Sequence, residues 1–94
     1  MNEKLKQIAD HYGIRPQLEQ LIEESAELIV AIRKFLRKPS ILTIAGLADE
    51  IADVEVMLEQ VKCLVKIEDE VEEIKAAKIE RTLKRIEQEK EKNG

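Results

Sequence analysis

Leu18, Leu21, Ile22, Leu28, Ile29, Ile32 and Leu36 recur at helical spacing, so they fall on one side of a predicted helix running from about Pro16 to Leu36. Pro16 suits its first turn, where a missing N–H would be unpaired anyway. A shorter helix over about residues 2–12 precedes it, with Leu5 and Ile8 facing inward and Gly13 as its stop. The clearest break is Arg37–Ser40: Pro39 disfavours helical geometry at Lys38, and Ser40 or Thr43 supplies a cap for a third helix continuing to about Lys66. A last helix, about Asp69 to Lys90, gathers Val71, Ile74, Ile79, Leu83 and Ile86 on one side. Lys75, Lys78 and Thr82 interrupt that side, so this helix is expected to pack less deeply than the middle pair. No internal repeat, glycine-rich loop or strand pair is present. The pattern predicts an all-α protein, an antiparallel bundle of about four helices forming one domain over residues 1–94.

A chain of 94 residues buries a modest core by itself. Ala26, Val30 and Ala31 extend the apolar surface of the second helix beyond one stripe, which predicts contact there with the last helix or a partner subunit. The bundle is therefore expected to be completed by oligomerisation, with a homodimer as the minimum and a tetramer as the larger alternative. Charge excludes one class of partner. The 16 basic and 20 acidic residues are well mixed and the net charge is −4, which leaves no basic footprint for duplex nucleic acid. No apolar stretch approaches the roughly 20 residues of a membrane span, and the first residues lack the regions of a signal peptide. A cytoplasmic protein without a membrane partner is the resulting expectation. The single Cys63 cannot form an internal bridge and reads as a small packing residue.

Carboxylates carry the chemical signal. Glu24 and Glu27 lie one turn apart on the second helix, as do Glu50 and Asp53 on the third, so two antiparallel helices can present four carboxylates to one point. Oxygen ligands of this kind suit Mg²⁺, which keeps water for substrate phosphates. With Glu50 at zero and about 100° per residue, Leu47, Ile51, Val54, Met57, Leu58, Val61, Leu64 and Val65 span an arc from about 320° to 100°. Glu50 sits inside that arc and Asp53 just beyond its edge, whereas Glu55 and Glu59 project toward solvent. A carboxylate placed among apolar side chains needs compensation, so something cationic is expected to meet Glu50. Periodicity alone favours a helical dimerisation module whose acidic residues only solubilise its faces, since Glu is a good helix former.

Glu23-Glu24-Ser25-Ala26-Glu27, followed after 22 residues by Glu50-Ile51-Ala52-Asp53, resembles the Glu-Glu-x-x-Glu and Glu-x-x-Asp motif of the MazG-like all-α nucleoside triphosphate pyrophosphohydrolases. The resemblance covers roughly residues 12–66. It implies a Mg²⁺-dependent enzyme, with Mn²⁺ as a substitute, that forms dimers or tetramers and cleaves a nucleoside triphosphate to monophosphate and pyrophosphate. It further implies that Glu24, Glu27, Glu50 and Asp53 are metal-binding carboxylates and that Glu23 supports the site or positions water. The alternative is a non-catalytic helical interaction module that retains the acidic motif. Relatives often carry aromatic residues near the end of the second helix, but this chain has no Trp and offers only Phe35 and Tyr12. Val30, Ala31 and Ile32 occupy that region, and Met57 stands where some relatives have tyrosine.

Lys34, Arg37 and Lys38 are the candidate phosphate ligands. Lys34 and Lys38 lie about 20° either side of the Glu27 direction, roughly 10 and 16 Å farther along the helix, and Arg37 is their neighbour. The same three cations also suit a helix C-terminus without any ligand. His11 reads as an exposed cap or interface residue and Tyr12 as a packing anchor.

Overall fold

The computed structural model describes residues 2–93, which form four helices in chain order: α1 (Glu3–Tyr12), α2 (Ile14–Arg37), α3 (Ile41–Val65) and α4 (Glu68–Asn93). No strand occurs among the described residues. Helices α2 and α3 make the main packing contact, and α1 lies across them, mostly against α3. The all-α bundle expected from periodicity is therefore the fold.

Local chemistry explains each boundary. Asn2 caps α1 by accepting from the Lys4 N–H at 2.8 Å. Gly13, at φ 88°, ends α1 and opens α2, and its left-handed φ is one that L side chains rarely adopt. Pro16 lies in the first turn of α2. Between α2 and α3, Ser40 and Thr43 both serve: the Thr43 N–H donates to Ser40 Oγ and the Ser40 N–H to Thr43 Oγ1, a reciprocal capping box. Lys66, at φ 62°, closes α3.

Several inward faces differ from the sequence expectation. In α1 it is Ala9, fully buried, that fits against the bundle, while Leu5 is half-buried and Ile8 is exposed. Ala9 follows Leu5 by four residues, so the contact face is turned away from Ile8. In α3, Leu47, Glu50, Asp53, Val54, Met57, Gln60, Val61 and Leu64 are buried or half-buried, as are Thr43, Glu59, Lys62 and Cys63, whereas Ile51, Leu58 and Val65 are exposed. The packed face is turned by about 40° toward Asp53 relative to the apolar arc. Part of the cause is a polar pair at the α2–α3 contact: buried Gln17 donates to buried Gln60 and draws both inward. Tyr12 is exposed and stands nearly perpendicular to the His11 ring, at a ring separation of 4.7 Å, so it is not the anchor expected. Helix α4 packs shallowly, as its interrupted face implies: it touches α3 alone, and none of its residues is buried. Among the described residues no helix is long and apolar enough to cross a membrane.

Candidate metal centre

Antiparallel packing of α2 on α3 brings Glu24, Glu27, Glu50 and Asp53 together, with one carboxylate oxygen from each lying within 4.8 Å of the others. Glu24, Glu50 and Asp53 are half-buried and Glu27 is exposed. The one-turn spacing within each helix aims both members of a pair the same way, and the helix contact supplies the rest. Glu23, exposed on the neighbouring surface of α2, is not a member of the four.

The cluster lacks internal compensation. One oxygen each of Glu24 and Glu50 is buried without any hydrogen-bond partner. Gln20 donates to the other oxygen of Glu24 at 2.8 Å, one turn earlier on α2. The ion pairs among the described residues, Lys6–Asp10, Arg15–Glu19, Lys62–Glu59 and Lys75–Glu72, all lie outside the cluster. The cation expected beside Glu50 is thus not one of these side chains. Burial, followed by the charges of Glu27, Asp53, Asp49 and Glu24, pushes the Glu50 carboxyl above its ordinary pKa. Burial and then the Glu24 charge do the same to Asp53. Like charges held close in a half-buried site are costly unless a cation joins them, and four hard oxygen donors on rigid helices fit Mg²⁺ or Mn²⁺.

A cleft of about 470 Å³ opens beside the carboxylates, lined by Glu27, Val30, Ala31, Lys34, Leu42, Thr43, Gly46 and Glu50. Its size falls in the range of small-molecule sites. Of the three candidate phosphate ligands, only Lys34 lines this cleft. Arg37 ends α2, and Lys38 caps it through its backbone, its N–H donating to the Lys34 carbonyl and its own carbonyl accepting from Thr43 Oγ1. A smaller hollow on the other side of the cluster is formed by Gln20, Glu24, Asp53, Val56 and Met57. Met57 itself is buried. Val30 and Ala31 line the main cleft, but Ile32 does not.

Sequence spacing missed Gln20, Leu42, Thr43 and Gly46. Gln20 precedes Glu24 by four residues, a signal for a helical hydrogen bond. The other three carry no such mark, because their placement depends on how the α2–α3 turn folds back. Comparison with protein-family models, with curated proteins and with solved structures finds no match to the chain.

Proposed function

We propose that the chain is a Mg²⁺-dependent nucleoside triphosphate pyrophosphohydrolase, acting as a homodimer or larger homo-oligomer. The observation that carries this is the convergence of Glu24, Glu27, Glu50 and Asp53, with unpartnered buried oxygens on Glu24 and Glu50, at the positions of the resembled motif. A non-catalytic interaction module would account for exposed apolar helix faces, but gives no reason for burying carboxylates without partners.

Glu24, Glu27, Glu50 and Asp53 would hold the divalent ion, which would offset phosphate charge and acidify water. Lys34 lines the adjoining cleft and would meet phosphate oxygens there. Arg37 and Lys38, farther along the same helix end, add positive charge beyond it. A carboxylate of the acidic group takes the proton of the attacking water, and Glu23 supports the outer side of the site. Water adds to phosphorus, the anhydride bond between the α and β phosphates breaks, and pyrophosphate leaves with the bonding electron pair. The cleft walls, Val30, Ala31, Leu42 and Gly46, offer no aromatic plane for a base. Selection among bases is accordingly weak.

Incubation of purified protein and Mg²⁺ with canonical and modified dNTPs and NTPs, followed by ion-exchange separation, tests the proposal. Monophosphate with pyrophosphate is expected. Diphosphate with phosphate assigns a different reaction, and no turnover on any member of the panel leaves the interaction module.

A further inference from the structure

One flank of α2 carries a seam that the other described helices leave mostly uncovered. Leu18, Ile22, Ser25, Ile29, Ile32 and Leu36 follow one another at alternating four- and three-residue steps, the spacing of helices that pair along their length. Ile22, Ile29 and Leu36 are 69%, 60% and 65% exposed. The seam lies about a third of a turn from the side that holds Gln17, Glu24, Leu28, Ala31 and Phe35 against the bundle. Helix α4, the other element able to cover it, makes no contact with α2.

We propose that this seam is the interface of an antiparallel homodimer, α2 against α2 of a second copy. Charge selects the occupant and its direction. Glu19, Ala26 and Arg33 recur every seven residues along the solvent flank of the seam. Antiparallel pairing about a twofold axis near Ala26 sets Leu18 against the partner's Leu36, Ile22 against the partner's Ile32 and Ser25 against the partner's Ile29. It also sets Glu19 against the partner's Arg33, twice by symmetry, with the small Ala26 facing its own mate. Parallel pairing instead puts the two copies of this flank on opposite sides of the seam, where Glu19 and the partner's Arg33 cannot meet. Both side chains are free for the purpose: Glu19 has only a solvent-exposed pairing with Arg15 at 3.3 Å, and Arg33 takes part in no ion pair among the described residues. The seam runs about 27 Å, long enough for five turns of contact.

This interface is independent of catalysis, and its test reads association alone. Sedimentation equilibrium of the full chain at low ionic strength is expected to show a dimer at low micromolar concentration. Glu19→Arg and Arg33→Glu are each expected to weaken it about tenfold or more, and the two together to restore it. Ile29→Glu is expected to give a monomer of unchanged helicity by circular dichroism. A wild-type monomer at every concentration overturns the proposal. So does a dimer that survives Ile29→Glu, which would mean that α4 or another face joins the copies, or one in which the double charge reversal is weaker than either single change.

Discussion

Glu24 on α2 and Glu50 on α3 each bury one carboxylate oxygen with no hydrogen-bond partner, and both belong to the same four-carboxylate cluster. Neither helix alone creates this arrangement, since each contributes one pair and the helix packing joins them. Buried acceptors of this kind cost stability in the isolated chain and become ligands once a cation enters.

Mg²⁺ or Mn²⁺ is therefore expected to bind saturably and raise the melting temperature. At one hundred times Kd the stabilisation is about 2.7 kcal/mol. Because the bound carboxylates must be ionised, affinity is expected to rise with pH across the acid range, and loading to release protons. Isothermal calorimetry in buffers of different ionisation enthalpy measures both; no saturable heat with either ion would remove the centre.

Glu50→Gln is expected to stabilise the metal-free protein at neutral pH while abolishing stabilisation by metal. In the folded chain the Glu50 and Asp53 carboxyls titrate higher than in the unfolded one. Below about pH 3 both states are protonated at these positions and no penalty exists. As pH rises the unfolded chain loses its protons first, so stability falls and remains lowered once both states are ionised. The melting temperature of Glu50→Gln should exceed that of the wild type by a few degrees at pH 7, with a gap that closes toward about pH 3. A Glu50→Gln protein less stable than wild type at pH 7 without metal would refute this electrostatic account.

Helix boundaries were largely legible in the sequence because single residues decide them: Gly13, Pro39 and Ser40 mark the turns by backbone preference. The carboxylate pairs were equally legible, since one-turn spacing is a local property. The rotation of α3 was not. Periodicity sees Ile51, Leu58 and Val65 as core, but the α2–α3 contact is set partly by Gln17 and Gln60, two polar residues that no hydropathy pattern marks for burial. Ala9 was passed over for a similar reason: the larger Ile8 dominates the pattern, yet the close approach of α1 needs a small side chain. Lys34 could be separated from Arg37 and Lys38 only once the fold of the turn had shown which of the three lines the cleft.

The buried amide pair makes its own prediction. Gln17→Leu or Gln60→Leu alone is expected to cost about 1–3 kcal/mol by leaving the other amide unpaired. The double substitution should lie closer to wild type than the worse single variant. Urea denaturation of the four proteins gives the coupling, and additive losses would deny the pair its structural role.

Ser40→Ala removes the acceptor for the Thr43 N–H at the start of α3. The expected loss is about 1 kcal/mol, a drop of roughly 4–8 °C in melting temperature for a domain this size. Differential scanning calorimetry measures it, and an unchanged transition would mean that the turn is held without its cap.

The dependence of nucleotide turnover on Mg²⁺ in wild type and Glu50→Gln, prepared in parallel, tests the central claim most directly. Wild type is expected to convert a nucleoside triphosphate to monophosphate and pyrophosphate with a saturable metal requirement. Glu50→Gln, nearly identical in size but without the ligand charge, should lose about a hundredfold or more of that activity while keeping its helical content. Equal turnover by the two proteins, or turnover indifferent to Mg²⁺, would contradict a reaction carried out at these four carboxylates.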